Sequence, residues 1–294
     1  MARKPRPVRN KELRREPGWR LTRSGRRGQF ASLDDVLRFR DDRTGSLVEL
    51  ALNPSVPLRV CVDGASCGAE FGLRTVRVLL MADVLFRIAE LSGLQVVTVL
   101  ATAGPPPAAL EQAVAALGLH PLAVAGSAGE AGALLGGRAH VRVAASGAGR
   151  GDGGDEVLIG VGPADDLTPD GRAAQPGAYG GAAGDPLALR LALLWSPYRQ
   201  TVKLTDASLA QAEDTVSRWR HAVAKWAAEP SRPIPAQTAH RMSVAFDNDL
   251  DTVAALDVLV NLESDGEVPA GAKFETFAFA DRVLGLELVR EIGR

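Results

Sequence analysis

The sequence predicts an α/β fold built on a parallel sheet and followed by an α-helical C-terminal domain. Three observations predict it. A short apolar run, 57–62, and a β-branched run, 95–100, flank a segment in which Val76, Leu80, Val84 and Ile88 recur every four positions. Strand, helix and strand within about 45 residues make a βαβ unit, whose strands must run parallel. Beyond residue 186 the apolar spacing is helical throughout.

The first strand, Pro57-Leu58-Arg59-Val60-Cys61-Val62, ends at Asp63-Gly64 with the turn formers Ala65-Ser66-Cys67-Gly68 behind it. The helix over 75–91 carries an apolar stripe widened by Leu79 and Leu91, and Gly93 sits where a helix-ending residue belongs. Gln95-Val96-Val97-Thr98-Val99-Leu100 is the second strand, stopped by Gly104-Pro105-Pro106-Pro107. A helix over 107–118, a short helix over 129–137 and a strand over 139–145 follow. Residues 145–185 are rich in Gly, Ala, Asp and Pro, and their one apolar run, 157–161, reads as a further strand within a poorly ordered connection. Helices are expected over 186–196, 206–228, 236–262 and 271–289, with the proline-rich 229–235 parting the second from the third. The expected organisation is a basic arm (1–30), a core (45–185) and a helical domain (186–294).

Of the 294 residues 46% are hydrophobic and 23% charged, ordinary globular composition with material for a sizeable core. No run reaches the length of a membrane span, and the N-terminus lacks the apolar heart of a signal peptide, so the expectation is a cytoplasmic protein with no membrane partner. The net charge of −1 hides an asymmetry, because residues 1–27 hold eleven Arg and Lys against Glu12 and Glu16. Such an arm suits the phosphates of RNA or an acidic partner, and a solvated tail accounts for it as well. Cys61 and Cys67 are too few for a disulfide framework. The acidic run Asp247-Asn248-Asp249-Leu250-Asp251 lacks the spacing of a calcium loop and reads as structural. Trp195, Trp219 and Trp226 are expected to anchor helix packing.

Two segments resemble cysteinyl-tRNA synthetase and its relative, the cysteine ligase of mycothiol biosynthesis. The first runs through Leu58–Gly64, Arg74-Thr75, Ala82-Asp83-Val84-Leu85-Phe86-Arg87 and Gly93-Leu94-Gln95-Val96-Val97-Thr98-Val99. The second runs through Asp185-Pro186-Leu187-Ala188-Leu189-Arg190, Tyr198-Arg199, Trp219 and Phe246-Asp247-Asn248-Asp249-Leu250-Asp251-Thr252. The matches fall in family order over most of 57–289. The resemblance implies a class I synthetase-type Rossmann core and an adenylate crevice formed by Asp63, Gly64, Ser66, Cys67, Gly72, Arg74 and Thr75. Turn chemistry alone also explains Asp63-Gly64 and Ser66-Cys67, and Arg74-Thr75 reads equally as a helix start with Thr75 as cap.

The departures from the family pattern bear on chemistry. Adenylation needs cations or donors on the ATP phosphates, supplied in the family by two histidines of the HIGH signature and the lysines of the KMSKS loop. Here residues 65–73 contain no histidine, Glu70 brings a negative charge, and no lysine occurs between Lys11 and Lys203. The zinc-held thiolate site is altered too: Asp63 stands where the first cysteine ligand belongs, and no cysteine follows Cys67. Cys61, Cys67, His120 and His140 lack metal spacing, so no zinc is expected and ATP is the one cofactor left open. The expectation is therefore a synthetase-like protein that has lost adenylation and binds a nucleotide, an aminoacyl ligand or a partner. The alternatives are an ATP-dependent cysteine or amino-acid ligase with an altered site, and an RNA binder acting through the arm.

Overall fold

A computed structural model of the chain describes residues 36–51, 55–67, 71–104, 108–148, 156–166 and 184–294. The basic arm expected over 1–30, Gly68, Ala69 and Glu70, and most of the Gly-rich connection lie outside the described residues.

Five parallel strands form the central sheet: β3 (Leu58–Asp63), β4 (Val96–Ala101), β5 (Ala123–Ala125), β6 (Val141–Ala145) and β7 (Val157–Val161). Their spatial order is β5-β4-β3-β6-β7, so the chain winds outward from β3 in one direction and then returns to β6 on its other side. This is the doubly wound Rossmann order, and it places a topological switch point between β3 and β6. A hairpin of β1 (Val36–Arg40) and β2 (Leu47–Ala51) precedes the sheet, and β8 (Ala164–Asp166) pairs in parallel with β9 (Val202–Leu204) beyond it.

Helix α1 (Leu73–Leu91) packs on one face of the sheet and α3 (Ala128–Leu134) on the other. The strands show why. Leu58, Val60 and Val62 alternate into the large core beneath α1, whereas Cys61 turns to a smaller cluster with Val99, Ala125, Ala131 and Leu135. The stripe expected on α1 is buried as expected, but so is most of the rest of the helix, including Arg77 and Asp83. The reason is a second layer: α4 (Pro186–Leu194) and α8 (Ala270–Leu284) close over the side of α1 that faces away from the sheet. Val76, Leu79, Leu80, Val84, Leu85 and Ile88 are each at most 1% exposed, and burial of such side chains stabilises by about 1.5–3 kcal/mol apiece.

The helical region holds α4, α5 (Asp206–Trp226), α6 (Ala236–Asp247), α7 (Thr252–Ser264) and α8. The single helix expected over 236–262 is two helices. The chain breaks at Asn248-Asp249-Leu250-Asp251, where Asp249 and Leu250 take left-handed backbone angles (φ 58° and 54°). Tertiary bonds hold this turn, since the Asp249 carboxylate accepts from the Arg40 amide (2.8 Å) and the Tyr198 hydroxyl (2.7 Å). The helix expected over 271–289 stops at Leu284, with Gly285 in the left-handed cap. Trp219 is fully buried against Phe277 and Trp195, and Trp226 also packs on Phe277. Among the described residues no helix is long and apolar enough to cross a membrane.

Candidate functional site

The switch point fixes where the crevice lies. Open α/β sheets take ligands beyond the carboxyl ends of the strands, where neighbouring connections part to opposite faces. Here those ends are Asp63 on β3 and Ala145 on β6, and a single 3-10 turn, Gly64–Cys67, fills the space between them.

Each residue of the turn has a specific tie. The Asp63 carboxylate accepts from the Ser66 amide (3.1 Å), and the Ser66 hydroxyl donates to the Asp63 carbonyl (2.6 Å) while accepting from the Ala145 amide (2.9 Å). Ser66 thus bridges the two strand ends at the switch point. Gly64 is needed for space, because a Cβ there would stand 2.9 Å from Leu100 and 3.1 Å from the Ala101 carbonyl. Cys67 is buried beneath the turn beside the Ser66 and Thr75 hydroxyls, and burial pushes its thiol up from the ordinary value. The thiol is therefore protonated at neutral pH and inert as a nucleophile.

Helix α1 begins directly behind the turn. Its N-cap is Gly72, which offers no side-chain cap, and no acid lies in the first turn. Thr75 is not the cap: it sits inside the first turn, 7% exposed, with its hydroxyl toward Cys67. The Arg74 Nε is buried without a hydrogen-bond partner. An uncapped helix start with a guanidinium beside it suits an anionic group. Asp63, Gly64, Ser66, Cys67, Gly72, Arg74 and Thr75 thus all lie in the strand–turn–helix unit at the switch point.

The other motif residues serve the scaffold. Asp83 is the hub between layers: its carboxylate receives Arg190 (2.6 Å), Arg87 (2.8 Å), and the His120 ring and amide (2.7 and 2.9 Å). Burial opposes its ionisation, yet Arg190, His120 and Arg87 together hold the carboxyl well below the usual carboxylate range. Asp185 caps α4 through the Leu187 amide and receives Arg220 and Arg290. Arg77, missed by the sequence reading, points its terminal nitrogens at the carbonyls of Gly162, Pro163, Pro197 and Gln200, tying α1 to the loops around β8 and β9. Burial lowers this guanidinium to about 10, still charged at neutral pH. Nothing in its sequence context marks it, because its partners are all backbone.

The histidines stand away from the turn: His120 on Asp83, His140 at the start of β6, His221 on α5 and His240 on α6. Among the described residues no three His, Cys, Asp or Glu side chains converge as metal ligands.

No protein-family model matches the chain. Among curated proteins, it is 39% identical over 115 residues to the L-cysteine:1D-myo-inositol 2-amino-2-deoxy-alpha-D-glucopyranoside ligase of Thermobifida fusca, covering 37% of this chain and 26% of that protein. The ligase of the same name from Gordonia bronchialis is 45% identical over 75 residues, 26% of this chain and 17% of the relative. That of Kribbella flavida is 34% identical over 108 residues, 36% and 25% of the two chains. Over these stretches the chain is similar to these cysteine ligases. The likeness spans about a quarter or less of each ligase's length. It agrees with the resemblance to the cysteinyl-tRNA synthetase family, and none of it speaks for loss of activity.

Proposed function

We propose that this protein acts in an ATP-dependent ligation of an amino acid, of the kind its cysteine-ligase relatives are named for, with cysteine the first substrate to test. The observation that carries the proposal is the likeness to several cysteine ligases, three of them at 34–45% identity. The switch point of the parallel sheet supports it, because open α/β sheets take ligands beyond the strand ends at that point. In this reading the uncapped start of α1 and Arg74 meet the phosphates, and the Ser66 and Thr75 hydroxyls hold the turn in shape. Arg74 takes over part of the work that histidine and lysine do in the family, since a guanidinium supplies fixed positive charge to a leaving pyrophosphate. Zinc has no part in the reading.

One observation favours a second reading, a protein that binds the ligand without activating it: residues 65–73 contain no histidine and no lysine falls between Lys11 and Lys203. Pyrophosphate exchange into ATP with and without cysteine separates the two. Cysteine-dependent exchange supports the ligase. Stabilisation by a non-hydrolysable cysteinyl-adenylate analogue without exchange supports the binder, because a ligand that binds only the folded state raises the melting temperature. Neither exchange nor a shift removes both, and attention then moves to RNA or acidic partners of residues 1–27.

A further inference from the structure

The face of the sheet opposite α1 carries a second feature. A groove of about 900 Å³ runs along β3 and β6 between α3 and the β1–β2 hairpin. That volume lies within the range of small-molecule sites. Its floor is apolar, with Cys61, Ala131 and Leu135 among the lining residues. One end reaches Asp63; the other, about 13 Å away along β3 at the strand rise, lies at the amino ends of the strands.

That far end is cationic. The turn after α3 passes through Gly136 and Gly137, both at positive φ, and leads into Arg138, which lines the same groove as Arg59. Gly137 lies against the Arg59 guanidinium so closely that a Cβ would stand 3.3 Å from its Cζ. Arg59 Nε donates to the Leu135 carbonyl (3.0 Å), which fixes the guanidinium and leaves both terminal nitrogens without a partner among the described residues. Arg138 is exposed and has no partner among them. His140 accepts the Arg59 amide on Nδ1 (3.1 Å), so its proton is on Nε2.

The carboxylates of the groove are already engaged. Glu49 pairs with Arg38 (3.0 Å), Glu156 with Arg142 (2.7 Å), and Asp63 accepts from Ser66. What stays open is two guanidinium groups and an imidazole N–H at one end of an apolar channel.

We infer that this groove is a binding site for a small organic anion of nucleotide size, whose phosphate or carboxylate is held by Arg59, Arg138 and His140. It meets the crevice at α1 at Asp63 but seats the anion at the opposite end of β3, and it does not rest on the ligase reading.

Calorimetric titration of the full chain with AMP, inorganic phosphate and citrate, with adenosine as the uncharged control, tests it. The wild type is expected to bind AMP or citrate in preference to adenosine, and which of the two binds identifies the anion. Arg138→Glu is expected to weaken that binding roughly tenfold or more, the scale of a hydrogen bond to a charged group. The melting temperature stays where it was, because Arg138 holds no partner that the fold needs. Arg74→Ala is expected to leave citrate binding, and the part of AMP binding that depends on Arg138, unchanged. No anion bound at millimolar concentration overturns the inference. So does binding that falls in Arg74→Ala and survives Arg138→Glu, a result that puts the anion in the crevice and leaves the ligase reading standing.

Discussion

Asp83 shows what one residue carries in this molecule. It is 4% exposed and serves as the counter-charge for Arg190, which is fully buried. Removing one partner of such a pair leaves the other charged and dry, so Asp83→Asn is expected to cost about 3–5 kcal/mol in urea unfolding. The pH dependence follows from the same contacts. The folded-state pKa of Asp83 lies below its unfolded value, so its contribution is whole above the unfolded value of about 4 and is lost as pH falls through the folded one. Asp185, beside Arg220, and Glu263, beside Arg218, shift in the same direction despite burial. Asp281 opposes them: burial raises its pKa, so its share is present below the unfolded value and is lost as pH rises through the folded one. Asp41, held by Arg43, shifts with the first three despite burial, so four groups oppose one, and stability is expected to fall between pH 5 and pH 2, more shallowly in Asp83→Asn than in the wild type. Gly64→Ala tests the crevice turn at the same scale. The contacts at 2.9 and 3.1 Å predict a loss of about 1–3 kcal/mol from overpacking, read as a lowered melting temperature.

Among the elements, α5 offers the cleanest test of local coding. Thr205 accepts from the Ser208 amide (3.1 Å) and the Ser208 hydroxyl accepts from the Thr205 amide (2.9 Å), a reciprocal cap on an exposed helix start. Thr205→Ala is expected to cost about 1 kcal/mol and Thr205→Ser almost nothing, measured by chemical denaturation. Strands β3, β4, β6 and β7 and helices α1 to α5 were legible in the sequence, because β-branched runs and four-residue spacing are local signals. The β1–β2 hairpin, β5, β8 and β9 were not. The short strands β5, β8 and β9 have three residues each, and the pairing that defines them is made with distant partners. The split between α6 and α7 escaped for a related reason: the bonds from Arg40 and Tyr198 that hold Asp249 come from remote segments. At the site, the strand–turn–helix unit was readable because its residues are contiguous. The Arg59, Arg138 and His140 cluster was not, since two strands and a Gly-Gly turn bring it together.

At the scale of the whole molecule, Arg199 joins three parts of the chain. It pairs with Asp42 after β1 (2.8 Å), with Asp249 between α6 and α7 (3.4 Å), and donates to the Arg40 carbonyl. Arg199→Ala is expected to speed amide exchange in β1 and β2 several-fold while β3 and β4 keep their protection, because the hairpin loses one of its anchors and the central sheet loses none. The Asp83 hub links still more distant parts, for Arg190 also donates to the carbonyls of Leu117 (2.9 Å) and Leu284 (2.5 Å). On the ribosome that geometry becomes a schedule. Asp83 is synthesised roughly two hundred residues before Leu284, a wait of about 10–40 s at ordinary elongation rates. Through that interval α1 lacks its last covering helix, and holdase chaperones are expected to bind the nascent chain until α8 emerges.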